Sequence, residues 1–321
     1  MVTGDISKWR RWRPDFAWPT WVAGAVVGAV IGSLLWPIHL PFDGRLIKAM
    51  ETAAHFPLFF GGVMAWLFLT KPVPSWPGLR LLGVGVMLSA VALELAQLLT
   101  HRDPNLLDTF FSTLGGWSAV LIWYSLHTRR RGLILGAWSL CALLALLVGL
   151  PSLLILADRA HAHLTFPLLA SFEGRSELGR WWGDDCRLAR VKAQSTHGEY
   201  AMRVALARPR TSYPGVFMTD GHRDWSGHRR LSFDVYLTGG SERILWVRVD
   251  DRRDYPPYGD RAQTMVNLVP GANSVSLDLD TLLQTPGGRP LDRTQIRRWG
   301  MFFEDAQGGE SFFLDHVRLT R

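Results

Sequence analysis

The sequence predicts a two-part protein: an all-α transmembrane bundle of five spans, followed by an all-β antiparallel jelly-roll sandwich. Three observations carry this reading. Residues 18–157 are almost wholly apolar, whereas residues 165–321 are charged and rich in turn residues. Arginine and lysine cluster beside the apolar runs, the distribution by which membrane proteins set their orientation. Beyond Leu164, apolar residues alternate at period two between Gly- and Pro-containing punctuation, as in half-buried strands.

A length of 321 residues agrees with two domains. The formal charge of +7 does not point to nucleic acid, because no zinc-finger spacing and no RNA-binding signature accompany it. Cys141 falls in an apolar run and Cys186 in the polar half, so the two are not expected to pair.

Residues 1–17 form a cytoplasmic basic segment, with Lys8, Arg10, Arg11 and Arg13 interleaved with Trp9 and Trp12. The first span covers residues 18–38. It is too long for a signal-peptide core and no small-residue cleavage site follows, so it is expected to be retained. Residues 41–54 read as a loop or interfacial segment. The second span covers 55–70, and 71–80 is a Pro-rich turn. The third and fourth spans cover 81–99 and 109–126, and His127 to Arg131 form a basic stop. The fifth, 132–157, has no charge in 26 residues, enough to cross a core of roughly 30 Å with tilt. The resulting partition is 1–17, a four-span domain at 18–128, a fifth helix and linker at 129–160, and a sandwich at 161–321. Cations dominate the segments that alternate with the N-terminus (Lys71, Arg80 and Arg129 to Arg131). That places the N-terminus in the cytoplasm and the sandwich outside it, in an inner or plasma membrane.

Glu94 is the only charge in the third span. Hydrocarbon penalises such a carboxylate by about 2.5–3.5 kcal/mol on insertion scales, which marks it for function. Gln97 and His101 share its helical face, and Arg102, Asp103 and Asp108 follow at once. With His55 at the same membrane face, the candidate catalytic cluster is His55, Glu94, Gln97, Arg102 and Asp108. Glu94 or His55 would act as acid or base, and Arg102 would hold a phosphate or carboxylate of a lipid-linked substrate. The same residues also suit an interhelical polar lock. The spacing of Glu94 and His101 has no metal-ligand signature.

In the second half, residues 232–237, 244–250, 273–279, 299–303 and 311–319 read as strands. Along 244–250, Leu245, Val247 and Val249 face one way. Trp246, Arg248 and Asp250 face the other. An aromatic plane beside hydrogen-bonding charges suits a sugar, which stacks its apolar face and bonds its hydroxyls. Tyr255 and Tyr258, with Tyr213 and Trp225, lie in flanking loops and would add platforms. A solvated outer face with a tryptophan under a loop gives the same pattern.

Two resemblances sharpen these readings. Glu51-Thr-Ala-Ala-His55-Phe56, Glu94-Leu-Ala-Gln97, Arg102, Asp108 and Gly115, in that order, resemble the VanZ-like family over residues 20–128. Thr52 stands where the family usually has Lys, and Ser112 where it usually has Asn. The resemblance implies a role in envelope maintenance or glycopeptide tolerance and names no reaction. Phe172-Glu173 and Phe313 to Leu319 are similar to the first and last strands of jelly-roll, galactose-binding-like carbohydrate-binding modules. That resemblance implies a glycan ligand, peptidoglycan included, and nominates Glu173 and Asp315 for a structural calcium site. Three functions are therefore expected to compete. The chain is a membrane protein, embedded in lipid, that presents a glycan-binding domain; or a membrane enzyme acting on a lipid-linked or cell-wall precursor; or an assembly factor with a protein partner.

Overall fold

A computed structural model describes residue 32 and residues 44–71, 75–100, 104–128, 130–206, 213–252, 255–304 and 310–321. The basic N-terminal segment, most of the expected first span, and His101, Arg102 and Asp103 lie outside these. The chain divides into two compact units, residues 1–153 and 154–321.

Among the described residues, four helices are long and apolar enough to cross a membrane: α1 (Arg45–Thr70), α2 (Trp76–Gln97), α3 (Leu106–Thr128) and α4 (Arg131–Thr165). Three start earlier than expected. Residues 45–54 are helical and not a loop, because Arg, Leu, Lys, Ala, Met and Glu are good helix formers and no breaker interrupts them. Helix α2 starts inside the Pro-rich turn. Ser75 caps it by accepting from the Gly78 amide, and Pro77 sits in the first turn, where its missing N–H costs nothing. Asn105 starts α3, its side-chain oxygen accepting from Leu107 N at 3.0 Å.

Helix α3 buries a continuous stripe, Asp108, Ser112, Gly115, Ala119 and Ile122, at i+3 and i+4 spacing. Its glycines set how closely the helices approach. A Cβ on Gly115 would lie 2.1 Å from the Phe56 carbonyl oxygen of α1, and one on Gly116 would lie 2.4 Å from Val86 of α2. Small residues at such contacts let backbones meet where no hydrophobic force drives packing.

The second unit holds two antiparallel sheets. One contains β1 (Leu168–Ala170), β3 (Cys186–Val191), β4 (Ala201–Leu206), β6 (Arg230–Leu237), β9 (Gly271–Asp278) and β11 (Ser311–Thr320). Its order is β3-β4-β11-β6-β9, with β1 also on β11. The other contains β2 (Trp181–Asp184), β5 (Gly215–Met218), β7 (Arg243–Asp250), β8 (Ala262–Leu268) and β10 (Arg298–Phe303), ordered β2-β5-β10-β7-β8. They share one core. Val204, Leu231, Phe233 and Phe312 from the first sheet meet Leu245, Val247, Trp299 and Met301 from the second. Trp225, expected as a loop platform, is fully buried in that core, its indole N–H donating to the His222 carbonyl. Strand β9 stops at Asp278 and not at Leu279, because the Asp278 carboxylate caps the short helix α5 (Leu279–Leu282).

Candidate functional site

The outer face of the five-stranded sheet carries the strongest site. Alternation along β7 sends Leu245, Val247 and Val249 into the core and Trp246 and Arg248 outward. The register then builds a row that the single strand does not reveal. Trp246 pairs with Phe302 on β10 and with Met265 on β8, and Phe217 on β5 pairs with Trp182 on β2. Ring centroids run 6.2 Å from Trp246 to Phe302, 6.4 Å to Phe217 and 6.1 Å on to Trp182, the first pair lying within 3° of parallel. Tyr213 adds an edge contact to Phe302 at 5.9 Å.

Two glycines make the row possible. Gly215 lies opposite Phe302 and Gly300 opposite Phe217. A Cβ on Gly215 would meet Phe302 Cβ at 2.5 Å, and one on Gly300 would meet Phe217 Cδ1 at 2.5 Å. Each phenylalanine therefore lies over a position with no side chain.

Hydrogen-bonding groups bound the row. Glu304 accepts from Trp246 Nε1 at 3.3 Å. On the other side, Arg248 and Asp250 are both buried, which differs from the solvated row that alternation alone suggests. Asp250 accepts from Arg248 Nε on one oxygen (3.0 Å) and from Arg298 Nε and Nη2 on the other (2.9 and 2.6 Å). Tyr255 roofs this pair, its ring centroid 4.6 Å from the Arg248 guanidinium carbon and 5.3 Å from that of Arg298. Tyr258 stands exposed in a one-turn helix. Of the five residues expected here, four converge, and Trp182, Phe217, Phe302 and Arg298 join them. The signal for the newcomers was present in part: Gly215-Val-Phe217 and Gly300-Met-Phe302 alternate correctly. Their cross-strand partners, however, depend on register.

A second polar site lies in the helical unit, where His55, Glu94, Gln97, Asp108 and Ser112 are all buried. His55 lies between two groups of α3. Its Nδ1 is 3.0 Å from Ser112 Oγ, and its Nε2 is 3.6 Å from an Asp108 oxygen. Asn105 extends this polar chain. Its amide side chain donates to Asp108 at 3.3 Å, and its backbone N–H donates to Glu94 Oε1 at 2.5 Å. Glu94 at the end of α2 thus meets the start of α3. Asn105 and Ser112 were not among the expected site residues. An asparagine after Pro104, three residues before Asp108, is a helix-start signal that could have found the first.

Glu173 and Asp315 both hold the loop of residues 195–200. Glu173 Oε1 accepts from the amides of Glu199 and Tyr200, and Asp315 Oδ2 from those of Thr196 and His197. The carbonyls of Phe172 and Glu173 receive the Arg190 guanidinium. Calcium takes six to eight oxygens. Here N–H donors occupy Glu173 Oε1 and both oxygens of Asp315, so both carboxylates brace the backbone of this loop. No group of three His, Cys, Asp or Glu among the described residues is placed to hold any metal ion.

Several solved structures are similar to this chain over about half its length. One is a family 11 carbohydrate-binding module from Clostridium thermocellum in complex with a β-1,3-1,4-mixed-linked tetrasaccharide, at 18% identity. The match covers 48% of this chain and 94% of that one, with a TM-score of 0.37. An exo-β-agarase matches at 16% identity, over 48% of this chain and 24% of its own length, TM-score 0.40. An arabinose-bound α-L-arabinofuranosidase matches at 14% identity, over 48% and 26%, TM-score 0.36. The chain thus spans about a quarter of the agarase. No protein-family model matches the chain, and no curated protein matches it.

Proposed function

We propose that this chain is an integral membrane protein of the cell envelope that binds a polysaccharide on the outer face of β2-β5-β10-β7-β8. The aromatic row from Trp246 to Trp182 carries the reading. Trp182 is exposed, Trp246 and Phe302 are half-buried and Phe217 is buried between them, and with exposed Ile244 and Met265 they make this face apolar enough for an interaction surface. A row of rings edged by Glu304 on one side and by Arg248, Asp250 and Arg298 on the other is matched to a sugar polymer, which offers apolar ring faces and hydroxyls together. The helical half serves as anchor, with a VanZ-like role in envelope maintenance, its N-terminus in the cytoplasm and the sandwich outside. Full-length protein in detergent micelles should be retained by insoluble polysaccharides, peptidoglycan among them. Trp246→Ala and Phe302→Ala should each weaken retention about tenfold, since a ring contact contributes about 0.5–1.5 kcal/mol beyond its buried area. Retention unchanged in both variants would remove the outer face from the account.

A second reading follows from His55 between Ser112 and Asp108. A histidine hydrogen-bonded to a hydroxyl and facing a carboxylate can move a proton, which suits chemistry on a lipid-linked precursor. Glu94→Gln and Ser112→Ala proteins that reach normal abundance but lose the cell's envelope phenotype would favour an enzyme over an anchor.

A further inference from the structure

We infer that the polysaccharide bound by the sheet carries acidic sugars, and that a sugar carboxylate is received by Arg248 at the edge of the aromatic row. This rests on the glycan reading above and narrows it to a ligand class.

The first observation is a local excess of positive charge. Three guanidiniums surround one ring: the carbons of Arg261, Arg248 and Arg298 lie 4.4, 4.6 and 5.3 Å from the Tyr255 centroid. Among the described residues Asp250 is the carboxylate bonded to this group, and it engages Arg248 and Arg298 only. Arg261 donates its Nε to the Pro256 carbonyl, which offsets no charge. The excess is confined to this edge, because Glu304 flanks Trp246 at the other.

The second observation is independent. The Arg248 side chain is only 5% exposed, and its Nη2 is buried with no hydrogen-bond partner among the described residues. A buried donor left unmade is destabilising, and more so when the group is charged. Arg248 follows Trp246 by two residues on the same face. It pairs across β10 with Gly300, over which the Phe217 ring of the row lies, so Arg248 borders the row directly. A sugar stacked on the row lies beside this nitrogen and reaches it once the covering ring moves aside. What covers it is the ring of Tyr255, itself 67% exposed and standing on a loop. A hydroxyl could satisfy the donor, but only an anion also offsets the unmatched charge. A carboxylate answers both through a charge-assisted bond.

The test uses full-length protein in detergent micelles at fixed ionic strength. Alginate, polygalacturonate and hyaluronan are each compared with their carboxyl-reduced forms, with polyglutamate as a polyanion that has no sugar rings. At least one acidic polymer should bind tenfold or more tightly than its reduced form. Arg248→Lys, which keeps the charge but loses the planar fork, should weaken the acidic polymer far more than its reduced form, so that the margin between the two collapses. Arg298→Gln should shrink the margin as well, and its thermal unfolding is measured alongside because Arg298 also pairs with buried Asp250. Equal affinity for acidic and reduced forms, a margin that survives both substitutions, or polyglutamate competing as well as the polysaccharide would each overturn the acidic ligand. In the first two cases the glycan reading stands. If no polysaccharide of either kind is bound, that reading itself fails.

Discussion

Asp251 sits one residue past β7 and shows how the loops beside the site are held. Arg289 reaches it with Nη1 at 2.6 Å and Nη2 at 3.0 Å and gives its Nε to Asp260 at 2.7 Å, while the Asp292 amide also donates to Asp251. Burial pushes the Asp251 carboxyl up, but Arg289 and the amide outweigh it and hold the group below the usual aspartate range. A carboxyl depressed in the folded state adds stability above its unfolded pKa of about 3.9 and loses it as pH falls through the folded value. Melting temperature should therefore drop as pH is lowered below about 4, and Arg289→Gln should flatten that part of the curve. At this scale the sequence was informative about direction but not about surroundings. Alternation assigned Trp246 and Arg248 to the outer face. It could not show that Asp250 is 1% exposed, because the cation that buries it, Arg298, comes from a strand 48 residues away.

Among elements, the packing of α1 on α3 is the most exacting. Gly115→Ala would place a methyl 2.1 Å from the Phe56 carbonyl, and neither backbone can yield without separating the helices. A loss of about 1–3 kcal/mol is expected, as for overpacked cores, and the separation would also break the hydrogen bond between His55 and Ser112. Thermal unfolding in micelles checks this, and Gly61→Ala, which meets nothing within 4 Å, is the control. Within the second unit, the last turns of α4 are tied down by a buried pair. Arg180 gives Nε and Nη2 to the two oxygens of Asp158 at 2.9 and 2.7 Å, with both side chains no more than 3% exposed. Arg180→Ala should cost about 3–5 kcal/mol by stranding the carboxylate, and Asp158→Leu with Arg180→Met should recover most of it. This pair explains why α4 runs on to Thr165 past the expected end at residue 157: its charges find partners there. Helix starts were misplaced for a related reason. Hydropathy marks the lipid-crossing part of a helix, while caps such as Ser75 and Asn105 lie beyond it.

For the whole molecule, the division into an apolar helical half and a strand-rich half was legible because each solvent imposes its own period on the chain. Five strands, β6, β7, β9, β10 and β11, were legible within a residue or two of their ends, and each is a run of alternation long enough to stand out. Strands β2, β4 and β5 were not, being short or buried along most of their length, which erases the period. The aromatic row belongs to this scale, because four strands assemble it and none contains it. Its most direct test is hydrogen exchange on the full-length protein in micelles, with and without a saturating polysaccharide that the protein retains. Slowed exchange is expected, confined to β2, β5, β7, β10 and the loop at Tyr255. Protection on β4, β6 and β11 instead, or none in the sandwich, would contradict it.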